Sequence, residues 1–130
     1  MTERNITGKT GEEAACSYLK AGKYRILHTN WRFRRYELDI VAESDDALVV
    51  VEVKTRSANY LVAPEEAIDR TKIKRIACAA EAYQLHFGID LPIRFDVICL
   101  IRTESAYVVE SHIEDAFYAP VNCIMRRPGR

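Results

Sequence analysis

Glu52, Lys54 and Arg56 interrupt an otherwise apolar run, Leu48-Val49-Val50-Val51-Glu52-Val53-Lys54-Thr55-Arg56, and Asp39 stands inside a second one, Leu38-Asp39-Ile40-Val41. Strand side chains alternate between faces, so Glu52 and Lys54 share a face with Leu48 and Val50. With Ser44 to Ala47 as the hairpin loop, Glu43 pairs with Leu48, which sets Asp39 opposite Glu52 and Glu37 opposite Lys54. Two carboxylates facing each other across a hairpin, with Cβ atoms about 5 Å apart, repel unless a positive charge lies between them. A hard divalent cation such as Mg²⁺ or Mn²⁺ fits, because it takes oxygen ligands and is held by one or two carboxylates with water and phosphate completing its shell. The Lys54 ammonium beside it can orient a water or meet charge developing on a phosphate.

A third carboxylate comes from a helix. In GEEAACSYLKAG, residues 12, 15, 16 and 19 recur at helical spacing, so Glu12 lies on the inward stripe while Glu13 shares the outer face with Ser17 and Lys20. A glutamate turned toward a sheet needs a partner, because burying an unpaired charge is costly. Taken singly, each residue has an ordinary explanation: strand-edge charges deter aggregation, and an acid in a first helical turn meets the helix dipole. Their convergence is what favours a site.

The elements that must position these residues follow from the same patterning. A helix over 11–22 precedes three strands, YRILHTNWRF, RRYELDIVA and LVVVEVKT, joined by short turns as an antiparallel meander. A long amphipathic helix begins at Pro64, a favoured first helical residue, carries Ile73, Ile76, Ala77, Ala80, Tyr83 and Phe87 on one stripe, and stops at Gly88. RFDVICLIR and AYVVESHI supply two more strands. This order predicts one α/β domain over residues 1–119, with 120–130 as a flexible tail.

The 130 residues, nearly half of them apolar, suit a single core. No window of about 18 apolar residues exists, and the opening MTERNITGKTGEEAA lacks the build of a secretion signal, so a soluble, cytoplasmic protein without membrane contact is expected. Cys16, Cys78, Cys99 and Cys123 lie far apart and are most simply reduced thiols. Net charge is zero, yet residues 1–36 hold eight basic side chains against three acidic ones, while residues 37–56 hold six acidic against two basic. A basic third beside an acidic hairpin suits an enzyme acting on a phosphate backbone.

The ordered set Gly8, Gly11, Glu12, Ala15; Asn30-Trp31-Arg32; Glu37-Leu38-Asp39; Val51-Glu52-Val53-Lys54-Thr55-Arg56; Lys72, Arg75-Ile76; and Arg94-Phe95-Asp96 resembles the YraN-like family of the PD-(D/E)XK, or restriction-endonuclease-like, nuclease superfamily. The resemblance implies a central mixed sheet flanked by helices and Mg²⁺-dependent hydrolysis of phosphodiesters in DNA, including branched or structured DNA. It implies Asp39, Glu52 and the Val53 carbonyl as metal ligands, Glu12 as a supporting ligand, and Lys54 positioning the attacking water. Tyr36 departs from the pattern, since the family usually has glycine before its Glu-x-Asp.

Further nucleic-acid contacts are expected from Arg56 and Lys72, and from Arg34 and Arg35, which lie beside Trp31 and Phe33 in a basic and aromatic stretch. His28, His86 and His112 show no ligand spacing and read as structural. A homodimer would help so small a domain grip a duplex. The alternative functions are a non-catalytic nucleic-acid-binding or assembly module on the same fold, and a protein-binding domain that pairs through an exposed strand.

Overall fold

The computed structural model describes residues 7–8, 10–57 and 69–118. In chain order the elements are β1 (Thr7–Gly8), α1 (Gly11–Ala21), β2 (Arg25–Phe33), β3 (Tyr36–Glu43), β4 (Leu48–Ser57), α2 (Arg70–Phe87), β5 (Ile93–Arg102) and β6 (Tyr107–Phe117). The sheet order is β1-β6-β5-β4-β3-β2. All neighbours are antiparallel except β4 and β5, which run parallel from Leu48↔Ile93 to Ser57↔Arg102 because the α2 crossover returns the chain to the same end. A mixed sheet flanked by helices is therefore the observed architecture, as expected, with the two-residue β1 added at one edge.

α1 starts where Thr10 accepts a hydrogen bond from the Glu13 N–H and ends where the Gly22 N–H reaches back to the last turn. Ala14, Ala15 and Leu19 are buried against Ile40, Val49, Val51, Ile98 and Leu100, while Glu13, Ser17 and Lys20 are exposed. α2 covers the other face. Its Ile76, Ala77, Ala80 and Tyr83 bury against Leu38, Val41, Leu48, Val50 and Phe95. The expected start of this helix at Pro64 is corrected: Asp69 is the N-cap, in extended conformation, and its carboxylate takes the Lys72 N–H at 2.8 Å. Asp69 competes better for a free helical N–H than proline, which only tolerates the first turn. Gly88 ends the helix at φ 64, the left-handed C-cap that favours glycine. Pro64 itself and the tail from 120 lie outside the described residues.

One buried polar network ties β5 and β6 to α1. Asp96, fully buried, accepts from Arg94 Nε at 3.0 Å and Nη2 at 2.8 Å, from the Asp115 N–H at 3.2 Å, and pairs with His112 Nε2 at 2.7 Å. Arg94 continues to the Tyr24 hydroxyl at 2.6 Å, and His112 Nδ1 meets the Tyr18 hydroxyl at 3.1 Å. Burial alone would raise the Asp96 carboxyl, but the hydrogen bonds from His112 and Arg94 outweigh it and hold the group below the usual carboxylate range. Cys16 and Cys99 are free thiols. Cys78 is disulfide-bonded, which corrects the expectation of four reduced thiols; spacing in the sequence cannot show which cysteines meet in space.

Candidate active site

The β3–β4 hairpin has the expected register, Glu43↔Leu48 through Ile40↔Val51, and there its ladder stops. Leu38 joins the core under α2 while Ile40 joins the core under α1, although residues two apart on a regular strand share a face. The backbone therefore breaks its alternation at Asp39, and β3 leaves β4 in a fork. Asp39 and Glu52 are not a cross-strand pair, nor are Glu37 and Lys54, which corrects that part of the expectation. Instead Asp39 Oδ2 enters the fork and accepts the Val53 N–H at 2.9 Å. In an extended strand a residue's N–H and C=O point to the same side, so the Val53 carbonyl faces the fork as well. Glu37 turns to Arg32 on β2, at 3.8 Å.

Asp39 and Glu52 nevertheless lie near enough for the Glu52 carboxylate to act on the Asp39 carboxyl. Glu52 is 4 % exposed and is neutralised from two sides, by Lys72 Nζ at 2.9 Å and Lys54 Nζ at 3.7 Å. Burial pushes the Asp39 carboxyl up from 3.8 to about 7, and the adjacent Glu52 charge adds to the rise; the Val53 N–H and Lys72 oppose it. Glu52 in turn holds the Lys72 ammonium above its ordinary value.

Among the described residues, two openings reach Asp39. One, of about 340 Å³, lies on the α1 side and is lined by Glu12, Asp39, Val53 and Thr55. The other, of about 190 Å³, lies on the α2 side, where Arg35, Lys72 and Arg75 stand around Glu37 and Asp39. Glu12 thus shares a cavity with Asp39, but its carboxylate is held by Asn30 Nδ2 at 2.7 Å. Asn30 makes this contact from φ 52 inside β2, a left-handed conformation that asparagine tolerates better than most residues.

The donor set suits a hard divalent cation: the Asp39 and Glu52 carboxylates, the Val53 carbonyl, and Glu12 across the cavity are all oxygen ligands. Burial first, and the Glu52 charge second, lift Asp39 to about 7, so a cation beside it would relieve the cost of its ionised form. Among the described residues no group of three or more His, Cys, Asp or Glu forms a ready cage, so Glu12 stands by rather than completing one. Of the other expected residues, Lys72 joins the carboxylates directly and Arg35 lines the α2-side cavity. Arg34 sits at the β2–β3 turn with its guanidinium 5.0 Å from the centre of the Phe33 ring. Arg56 is paired with Glu110 on β6, with Nε at 3.1 Å from Oε1. His28 and His112 are structural, hydrogen-bonded to Tyr83 and to Asp96. Neither the Asn30 tie to Glu12 nor the Lys72 pair with Glu52 is evident from sequence spacing; an asparagine in mid-strand is the available signal for the first.

The sequence profile described as "Uncharacterised protein family UPF0102" matches residues 11–100. The chain belongs to UPF0102, the YraN family. A UPF0102 protein of Parabacteroides distasonis is 52% identical over 120 residues, covering 92% of this chain and 98% of that protein. One from Bacteroides thetaiotaomicron is 50% identical over 93% of this chain and 99% of its own length, and one from Flavobacterium psychrophilum 40% identical over 91% and 98%. The matched segment of this UPF0102 chain runs from α1 to β5 and contains Glu12, Asp39, Glu52, Lys54 and Lys72. The PD-(D/E)XK arrangement of mixed sheet and flanking helices is consistent with it. No helix among the described residues is long and apolar enough to cross a membrane.

Proposed function

We propose that this protein is a metal-dependent nuclease that hydrolyses phosphodiester bonds of DNA, with structured or branched DNA as its substrate class. One observation carries the reading: where the β3–β4 ladder ends, Asp39 and Glu52 lie near enough to act on each other, beside two lysines and a cavity rimmed by further cations. Asp39, Glu52 and the Val53 carbonyl would hold Mg²⁺ or Mn²⁺, with Glu12 reaching the same ion from α1. A cation bound there supplies Lewis acidity to the phosphoryl group. Lys54, on the Glu52 face, holds the attacking water and meets the negative charge that grows on the phosphate as the water oxygen bonds to phosphorus and the sugar oxygen departs with a proton. Lys72, Arg35 and Arg75 line the approach and orient the backbone by charge. Purified protein with Mg²⁺ or Mn²⁺ is expected to cut at least one of a panel of linear, single-stranded and branched DNAs, and Glu52→Ala to abolish the cutting. Cleavage that persists in Glu52→Ala refutes the assignment.

A non-catalytic binding module on the same fold is the second reading. It is favoured by Glu12 being held by Asn30 and by Glu52 already carrying the Lys72 ammonium, an arrangement that satisfies both acids without a metal. It predicts DNA binding that is indifferent to EDTA and to Glu52→Ala, with no cutting of any substrate.

A further inference from the structure

The face of the sheet that carries Glu52 also carries a strip of aromatic rings that the chemistry above leaves unused. Trp31 and Phe33, two apart on β2, hold their rings nearly parallel, 3° between planes and 6.4 Å between centres. Phe33 leads to Tyr36 across the β2–β3 turn, at 6.5 Å, and Tyr36 lines the same cavity as Arg35, Asp39 and Lys72. The strip therefore runs unbroken from Trp31 to the carboxylates.

Its two ends differ in what they do for the fold. Trp31 is braced from below by Tyr83 at 5.0 Å and Phe87 at 6.2 Å, which fixes its plane. Phe33, among the described residues, has ring contacts with Trp31 and Tyr36 and none with α2. All three rings are half-buried, so each keeps accessible surface, Trp31 and Phe33 on the edge strand β2 and Tyr36 at the start of β3. The Arg34 guanidinium over Phe33 adds a flat, positively charged surface, and such a plane stacks as an aromatic does. Arg32 and Arg35 are exposed on either side.

We infer that Trp31, Phe33 and Arg34 form a stacking platform for unpaired bases of single-stranded DNA, which feeds the adjoining backbone to the Asp39–Glu52 fork. The proposal rests on the nuclease reading for the direction of the strand, and it narrows the substrate to DNA with an unpaired segment. Alternating rings and cations is how sequence-tolerant single-strand binding works, since every base has a stacking face and every nucleotide a phosphate. The 6.4 Å ring spacing is close to two nucleotide steps, about 6.8 Å, so bases two apart on a stacked strand can meet successive rings. Bases in an intact duplex are stacked on each other and offer no face to the platform.

Trp31 is the one tryptophan in the chain, so its emission reports on the platform directly. The full-length protein is titrated in EDTA, which prevents cutting, with a fluorescein-labelled homothymidine strand and with a blunt duplex of equal length; Trp31 emission and label anisotropy are followed together. The single strand is expected to quench Trp31 saturably, in step with the anisotropy rise, and the duplex to leave its emission unchanged. Phe33→Leu, which keeps an apolar side chain under the turn, is expected to weaken single-strand binding about tenfold, the size of one lost stack. Arg34→Ala serves as the second variant should Phe33→Leu fail to melt cooperatively. Equal quenching by duplex, or binding seen by anisotropy with no change in Trp31 emission, overturns the platform. Strand-selective quenching together with no Mg²⁺-dependent cutting of any DNA overturns the nuclease reading and leaves the platform standing.

Discussion

Replacing Asp39 by asparagine removes a charge while leaving a side-chain oxygen to accept the Val53 N–H, so its effect isolates the electrostatics of the fork. The rise of the Asp39 carboxyl from 3.8 to about 7 covers about three pH units. At about 1.4 kcal/mol per unit this is about 4 kcal/mol between its protonation states. Asp39 is only half-buried and solvent screens part of the interaction, so a gain of about 1–3 kcal/mol is expected for Asp39→Asn in metal-free protein above neutrality. The sign follows from proton counting. Between 3.8 and about 7 the folded protein holds more protons than the unfolded chain, so this group makes stability fall as pH rises through that window. The penalty is absent below it and complete above it. Urea denaturation in EDTA at about pH 4 and about pH 8 is the assay, read as the difference between wild type and Asp39→Asn so that other titrating groups cancel. The two proteins should match more closely in acid, with the variant the more stable at about pH 8. A variant no more stable than wild type at about pH 8, or a gap of the same size at both pH values, would refute the idea that two carboxylates share this fork.

Lys72→Met removes the closest cation from Glu52, whose carboxylate is 4 % exposed, while Lys72 itself is about half in solvent. Metal-free stability in urea should drop by about 1–2 kcal/mol, below the cost for a fully buried pair, and Mn²⁺ should restore more stability to the variant than to wild type. At Asn30, held at φ 52, Asn30→Gly should cost less than about 1 kcal/mol by thermal melting and Asn30→Val about 1–3 kcal/mol, because only the β-branched residue is strained there. Asp96→Ala strips Arg94 and His112 of their shared buried partner and should cost about 3–5 kcal/mol in urea without changing the Mn²⁺ affinity of whatever fraction remains folded. Cleavage should rise with pH up to about 7 and then level off, since a cation entering the fork must displace the proton from Asp39; a rate that falls over that range contradicts this.

Local signals carried far in this chain. Gly22 and the inward Ala15 and Leu19 define the end and the buried face of α1, because helix stops and helical periodicity are short-range properties. The Ser44–Ala47 loop sets the hairpin register correctly, with Ser44 N–H bonded to the Ala47 carbonyl. What sequence could not show is where that register ends. Alternation predicts Asp39 paired with Glu52 across a ladder, whereas the ladder ends at Ile40 and the two acids influence each other without being a ladder pair. The fork depends on β2 and α2 pulling Leu38 to the α2 side, a tertiary effect that no pattern within β3 contains. Lys72 was visible as a cation on a helical face, but its reach to Glu52 depends on how α2 docks, and the Arg56 pair with Glu110, an acid 54 residues away, was likewise beyond the pattern. Of the four charged positions singled out at the start, Glu12 and Asp39 line the α1-side opening, with Glu12 held by Asn30, whereas Glu52 and Lys54 pair with each other beside Lys72 of α2.

Calorimetric titration of Mn²⁺ into the metal-free protein at about pH 8, where Asp39 is ionised, addresses the fork itself. Saturable uptake of the ion by wild type, lost in Glu52→Gln and sharply weakened in Asp39→Asn, is the expected result. Absence of uptake by folded wild-type protein, or uptake that neither substitution changes, would contradict cation capture between β3 and β4 and with it the hydrolytic chemistry assigned to this site.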